Sequence, residues 1–172
     1  DVGIISPPHV MAISSSTGSH VQVANRGRLE VTDSSFTSPV RRSALTLYSG
    51  VAAVTGNTFN NTALSVGSGL GTPIGRSSRI RSNTFEVVDR PLTVTSAPFA
   101  IADLSGAATG NRFVGENSQR TVTVSYSSLD AGDEATWAPD GGVILTYGLD
   151  VAGELTIGPG AVVKSYCGSD AV

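Results

Sequence analysis

The chain has 172 residues, which is enough for one folded domain with a hydrophobic core of its own. Its net charge is −3 and its eleven basic residues are spread along the sequence, so no basic stripe predicts a nucleic-acid-binding surface. No run of about 18 apolar residues is present, and the sequence therefore predicts no membrane-spanning helix.

One six-residue phrase occurs four times and ends in phenylalanine each time. The copies are Val31–Phe36, Val54–Phe59, Ile80–Phe85 and Ala108–Phe113. The phenylalanines are separated by 23 residues (36 to 59), 26 residues (59 to 85) and 28 residues (85 to 113). A period of this length is typical of stacked-repeat proteins, in which each repeat buries its apolar side against its neighbours.

Each phrase begins as a strand and continues into a turn. Its first position is apolar and its second is polar, which predicts a strand with one buried face. The position two residues before phenylalanine holds Ser34, Asn57, Asn83 and Asn111 in the four copies. Asparagine is a turn residue that tolerates the left-handed conformation. We therefore expect the three amides to form a ladder that bonds the backbone of neighbouring coils, with the phenylalanines stacked inside.

A second strand follows each phenylalanine after a loop of variable length. The candidates, which all read apolar, polar, apolar, are Leu45–Leu47, Leu64–Val66, Leu92–Val94 and Val122–Val124. Together the repeats predict an all-β fold, a right-handed parallel β-helix with coils of 23–28 residues. A β-sandwich is the alternative, because its strands also alternate at short spacing.

The C-terminal part of the chain has a shorter rhythm. Apolar or small residues recur every six positions at Val143, Leu149, Leu155, Ala161 and Cys167. This rhythm predicts a distinct short-strand segment at residues 137–166 within one β-helix domain that spans 1–172. A left-handed hexapeptide helix would fit this segment, but it would not explain the longer spacing of the phenylalanines.

The run Leu155–Lys164, preceded by Trp137 and Leu149–Val151, resembles bacterial right-handed parallel β-helix repeat proteins. The phrases ending in Asn-Thr-Phe resemble the coils of the same family. The resemblance implies a secreted or surface protein with a pectate-lyase-like fold. In such proteins a run of this kind commonly opens a β-helix, whereas here it lies near the end, so we expect the chain to be part of a longer protein.

Many parallel β-helices cleave polysaccharides, and the sequence assembles no such catalytic site. Polygalacturonase-like enzymes carry Asn-Thr-Asp, Asp-Asp, Gly-His-Gly and Arg-Ile-Lys signatures, of which only the last resembles a segment here, Arg79–Arg81. The nearest catalytic candidates are Arg79 and Arg81, with Asp33 and Asp103 as carboxylates. Asp33 and Arg81 lie two repeats apart, about 10 Å at normal strand spacing, which suggests contact with a sugar acid but no acid–base pair.

The candidate calcium ligands are Asp130, Asp133 and Glu134, because carboxylates at such spacing can surround that ion. Their pattern is not that of an EF-hand, and an acidic surface loop is the alternative. His9 and His20 stand apart from other ligand types and are interpreted as surface residues. Cys167 is the only cysteine, so no disulfide or zinc site forms within the chain, and no cofactor is expected.

The outward centre of the second strand carries a column of hydroxyl side chains. Its members are Thr46, Ser65, Thr93, Thr123 and, in the C-terminal segment, Thr156. Threonine favours strands without any further purpose. A polar ladder of this kind also suits sugar hydroxyls, and a flat threonine array resembles ice-binding solenoids.

The sequence thus predicts a non-catalytic, extracellular or cell-surface β-helix module. Its role would be a rigid scaffold or a surface that contacts a polysaccharide or another protein. The alternative is a fragment of a polysaccharide lyase, glycoside hydrolase or phage tailspike, and ice binding is a minor alternative. A groove with two close carboxylates, or with carboxylates beside a base, would favour the enzyme.

Overall fold

The computed structural model is built almost entirely of parallel β-strands. It describes residues 2–6, 11–14, 17–18, 21–25, 28–37, 43–48, 50–67, 74–86, 90–106, 110–116, 121–138 and 142–165. Strands that lie side by side come from successive turns of the chain, so the backbone climbs as a β-solenoid. This confirms the predicted all-β architecture of stacked parallel coils. A β-sandwich is wrong, because the strand pairs in the described residues are parallel and those of a sandwich are antiparallel.

The strands are short and follow each other closely along the chain. In chain order they are β1 (Val2–Ser6), β2 (Met11–Ser14), β3 (Thr17–Gly18), β4 (Val21–Asn25), β5 (Arg28–Thr32), β6 (Ser35–Thr37), β7 (Ser43–Leu47), β8 (Val51–Thr55), β9 (Thr58–Asn60), β10 (Ala63–Gly67), β11 (Arg79–Arg81), β12 (Thr84–Glu86), β13 (Leu92–Thr95), β14 (Arg112–Val114), β15 (Thr121–Ser125), β16 (Ser128–Leu129), β17 (Glu134–Trp137), β18 (Val143–Tyr147), β19 (Asp150–Val151), β20 (Glu154–Ile157) and β21 (Val162–Ser165). A short 3-10 helix covers Phe99–Ile101. Within the described ranges no helix is long and apolar enough to cross a membrane.

The largest sheet, sheet A, has eight strands in the order β1-β4-β7-β10-β13-β15-β18-β21. It contains all four of the predicted second strands. Leu45, Leu64, Leu92 and Val122 occupy equivalent positions on adjacent strands. The loops of unequal length lie outside this sheet, which explains why the repeat period drifts while the strands remain aligned.

Each predicted phrase contributes to two further sheets rather than one. Sheet B has the order β11-β8-β5-β2 and aligns Val31, Val54 and Ile80. Sheet C has the order β14-β12-β9-β6-β3 and aligns the four phenylalanines. The sequence analysis recognised two strands per coil and missed the short third strand, which begins just after the turn.

The fourth coil departs from the predicted repeat. Ala108, aligned with Ile80 in the sequence, lies outside the described residues, and Ala102 forms the bridge to Ile80 instead. From this coil onward sheets B and C give way to two-stranded pairs, β16 with β19 and β17 with β20. Bridges from Pro98 to Ser128 and from Leu104 to Trp137 connect the two regions. The coil therefore changes shape around the 3-10 helix.

A continuous column of aromatic rings fills one side of the core. Phe36, Phe59, Phe85 and Phe113 are at most 5% exposed, as predicted. Successive ring centroids are 5.0, 4.9 and 5.2 Å apart and nearly parallel. Aliphatic columns from sheets A and B pack against these rings. Because no coil can bury its own apolar face, the stacking of coils produces the core.

The asparagine ladder also forms as predicted. Asn57, Asn83 and Asn111 are each at most 4% exposed. The Asn57 and Asn83 side-chain amides each donate to the Oδ1 of the next asparagine, at 3.0 and 2.9 Å. Each amide also donates to a backbone carbonyl of the preceding coil, with Val31, Val54 and Ile80 as acceptors. The ladder satisfies the polar backbone groups that these tight corners leave open.

Candidate functional site

A lateral groove of about 380 Å³ opens where the coil changes shape. Its walls come from β11, from the segment that follows the 3-10 helix, and from β17. Four of the charged residues singled out in the sequence line it: Arg79, Arg81, Asp103 and Glu134. The groove exists because residues 100–105 replace the regular strand that would otherwise continue sheet B beyond β11.

Two of these four charged groups are engaged in local structure. The Arg79 Nη1 donates to the carbonyl oxygens of Arg76 and Ser78, at 2.9 and 2.7 Å. Asp103 Oδ1 accepts hydrogen bonds from the backbone N–H and the hydroxyl of Ser105, at 3.0 and 2.5 Å. Arg79 thus braces the turn before β11, and Asp103 closes an Asx-type turn.

The other two charged groups present exposed side chains to the groove. On β11 the side chains of Arg79 and Arg81 point outward while Ile80 between them is buried. Glu134 opens β17 and is likewise exposed. A guanidinium and a carboxylate on opposite walls can bind hydroxyls of a polar ligand, since one donates and the other accepts hydrogen bonds.

Asp33 does not belong to this groove. It lies at the turn between β5 and β6 with a φ of +48°, and its N–H donates to the carbonyl oxygen of Thr55 at 3.3 Å. Its side chain packs beside Gly56, the next residue in the same corner column. Asp33 is therefore a corner residue, and the joint contact of Asp33 and Arg81 with a sugar acid is not formed here.

The three candidate calcium ligands do not converge. Arg76 forms ion pairs with the carboxylates of Asp130 and Asp133, the second at 3.7 Å. Glu134, by contrast, faces the lateral groove. Across the ranges that the structure describes, no three His, Cys, Asp or Glu side chains come together as a metal site. The acidic loop is held against the turn before β11 by an arginine.

The hydroxyl column of sheet A is shorter than predicted. Thr46, Ser65, Thr93 and Thr123 are aligned, but Leu145 takes the next position. Thr156 is not a member, because it lies on β20 opposite Thr136. Thr46 is only 9% exposed, and the Thr123 hydroxyl is buried without a hydrogen-bond partner. A regular exposed threonine array is therefore not formed.

Two tyrosines that the sequence analysis did not select form the most prominent surface feature. Tyr126 follows β15 at a corner of the coil and is 60% exposed. Its ring meets that of Tyr147 edge to face, with centroids 4.8 Å apart and an interplanar angle of 83°. The hydrogen bond with Tyr147 raises the pKa of the Tyr126 phenol above its ordinary value. We call this pair the tyrosine corner.

Gly148 is required for the packing of the tyrosine corner. It has a φ of +60°, and a Cβ at this position would lie 3.0 Å from Tyr126 Cδ1. Tyr126 itself has a φ of +48°, which is a strained conformation for a bulky residue. The corner thus combines close aromatic packing with an unusual backbone, so the exposed ring is held in one orientation.

A cleft lies on each side of the tyrosine corner. The first has a volume of about 340 Å³ and is lined by Tyr147, Leu145, Thr123 and the exposed Arg90. The second has a volume of about 410 Å³. Tyr126 and Arg76 border the second cleft, and its lining includes Ile74, Ala97 and Pro98. Both clefts therefore combine an aromatic wall, an apolar surface and a guanidinium.

No protein-family model matches the chain, and searches of the curated proteins and of the solved structures returned no match.

Proposed function

We propose that the chain is a rigid, non-catalytic β-solenoid module that contacts a glycan through the tyrosine corner. The observation that carries this proposal is the Tyr126 ring, which is 60% exposed yet fixed by Tyr147 and Gly148. A large apolar ring left in water is unfavourable unless it serves a contact. Tyrosine offers an apolar face for the C–H groups of a sugar ring and a hydroxyl for its polar edge.

The surroundings of the tyrosine corner support the same ligand class. Arg90 on one side and Arg76 on the other carry N–H groups that can donate to sugar hydroxyls. The clefts are open at the surface and lie along successive coils, which suits a chain of sugar units better than an isolated small molecule. Since the solenoid backbone fixes the corner in advance, little conformational entropy would be lost on binding.

In this proposal the module works outside the cell or at its surface, where polysaccharides are met. The regular coils hold the corner at a fixed distance along the solenoid axis, so the same structure is both scaffold and binding surface. A protein partner remains the other candidate for this surface, and glycan binding is tested first because the clefts combine apolar and polar contacts.

Replacing Tyr126 with alanine is expected to weaken glycan binding by about tenfold or more, because an aromatic contact of about 1.4 kcal/mol is lost. Arrays of neutral and acidic oligosaccharides would identify ligands, and titration calorimetry on those ligands would give the affinities. Since Tyr126 is mainly exposed, the variant should keep its fold.

Two further variants serve as controls for this test. Tyr126→Phe keeps the ring and should bind nearly as well as the unchanged chain. Tyr48→Ala removes a partly buried tyrosine that directly follows β7, several coils away, and should leave binding unaffected. If Tyr126→Ala binds as tightly as the unchanged chain, or if the arrays show no ligand, the proposal fails.

We also expect no polysaccharide cleavage by this chain. An acid–base pair needs two groups poised for proton transfer, whereas Asp103 is bonded to Ser105 and Arg79 to the turn before β11. Incubation with pectate, alginate and neutral glycans, with and without calcium, should yield neither unsaturated products nor new reducing ends. Cleavage that disappears in Arg81→Ala or Glu134→Gln would instead favour the enzyme fragment, with the lateral groove as its active site.

A further inference from the structure

The last described coil ends in an apolar face. Its three strands, β19, β20 and β21, carry the inward residues Val151, Ile157 and Val163. In the preceding coil the residues paired with these three are Leu129, Trp137 and Ile144, which are at most 1% exposed. Val151, Ile157 and Val163 are instead 43%, 48% and 40% exposed. Their positions are core positions, but no described residue stacks on them.

The backbone of the same coil is also open on that side. β21 is the last strand of sheet A, and β19 and β20 each pair with one strand only. Three strand edges therefore lie together around the exposed apolar residues, which we call the end face. Solenoids normally close such an end with a polar capping repeat, because unpaired edges and apolar columns favour association.

We propose that the end face is a docking surface for a second copy of this chain, related by a twofold axis perpendicular to the solenoid axis. Such an axis maps the side formed by β21 onto itself and exchanges the sides formed by β19 and β20. Sheet A would then continue through an antiparallel pair of β21 strands, and β19 of each copy would lie beside β20 of the other. The interface is isologous, so it closes at a dimer.

The sequence of the end face is complementary to itself in this arrangement. Opposite residues of an antiparallel pair point to the same side of the sheet. If Val163 lies opposite Val163 of the second copy, the two valines meet in the core, and Lys164 lies opposite Val162 of the second copy on the outer side. Lysine therefore meets an apolar residue rather than another lysine.

The remaining two sides also match apolar positions with apolar positions. Val151 on β19 can lie opposite Leu155 on β20 of the second copy, because both side chains point toward the core. Asp150 then lies opposite Thr156, which avoids a pair of like charges. Charge does not oppose this pairing at any of these positions.

The end face is small, and the association should be correspondingly weak. Stable dimers bury about 800 Å² on each partner, more than the end of one narrow coil provides. We expect a dissociation constant on the order of 0.1 mM. Sedimentation equilibrium on the full chain, from about 10 µM to about 1 mM, should show a monomer–dimer equilibrium that does not extend to larger assemblies.

Two substitutions on one strand test the geometry. Val163→Glu places a charge in the apolar centre and should abolish dimerisation throughout this range. Val162→Glu changes the neighbouring, outward residue and should leave dimerisation intact or strengthen it several-fold at low salt, because the new carboxylate would face Lys164 of the second copy. Both residues are already exposed, so thermal melts of the two variants should match that of the unchanged chain.

The outcomes separate the alternatives. A chain that stays monomeric over the whole range would overturn the proposal and indicate that residues 166–172, or nothing, cover the end face. Dimers that survive Val163→Glu but not Val162→Glu would indicate association through the outer side of sheet A, and would overturn it as well. The tyrosine corner plays no part in this contact, so Tyr126→Ala should dimerise normally.

Discussion

Replacing Phe85 with alanine is expected to lower the free energy of unfolding by about 3–5 kcal/mol. Phe85 is fully buried and stacks between Phe59 and Phe113, with centroid distances of 4.9 and 5.2 Å. The substitution would remove contacts on both faces of one ring and leave a cavity in the middle of a continuous column. The regular strands on either side prevent the neighbouring coils from collapsing into it. Urea denaturation followed by circular dichroism would measure the change.

The other rings of the column supply the control. Phe113 stacks on one described ring only and is 5% exposed, so Phe113→Ala should be less damaging than Phe85→Ala. Phe85→Leu keeps much of the apolar volume and should also be milder than the alanine variant. A loss below about 1 kcal/mol for Phe85→Ala would contradict the stacked column.

The parts of the fold that follow from local repetition could be predicted from the sequence. The buried positions of Val54, Phe59 and Asn57 recur in neighbouring coils, and each is meaningful only if the coils stack in parallel. The third sheet was missed because β9 has only three residues and follows a turn directly. An alternation pattern cannot be recognised over so short a strand.

The candidate site could be predicted only in part, because it lies where the repeat fails. Arg81 and Glu134 are 53 positions apart, and they line one groove only because residues 100–105 leave the regular path. Tyr126 and Tyr147 are not at repeated positions of the phenylalanine phrase, so nothing in that pattern selected them. Their contact depends on the left-handed backbone at Tyr126 and Gly148, which is a property of the coil corner rather than of either residue type.

The end face shows a similar division between local and non-local information. Alternation along β20 correctly identifies Ile157 as an inward residue, because it pairs with the buried Trp137. Whether an inward residue is also buried depends on what stacks on it, which the strand's own sequence does not encode. Trp137 is covered by Ile157, whereas no described residue covers Ile157 in turn.

Replacing Asn83 with alanine is expected to lower the free energy of unfolding by about 3 kcal/mol or more, although the side chain is small and polar. Asn83 Oδ1 accepts from the N–H and the side-chain amide of Asn57, both at 3.0 Å. Its own amide donates to the Val54 carbonyl oxygen and to Asn111 Oδ1, both at 2.9 Å. Alanine would leave at least two of these fully buried groups unsatisfied, at about 1–3 kcal/mol for each. Denaturant melts of the variant would measure the loss.

Asn83→Asp distinguishes this hydrogen-bond account from a simple loss of volume. The new carboxyl group keeps the acceptor for Asn57, but when ionised it loses both donors and places a charge among acceptors in the core. Burial and the facing oxygens of Val54 and Asn111 would raise the pKa of this carboxyl above its unfolded value of about 3.9. The folded state then binds the proton more tightly, so stability falls as the pH rises from the unfolded pKa toward the folded one. The variant should therefore be closest to the unchanged chain near pH 3, where the neutral carboxyl can donate one hydrogen bond, and furthest from it at pH 7. A destabilisation that is the same at both pH values would show that the donors of Asn83 do not support the ladder.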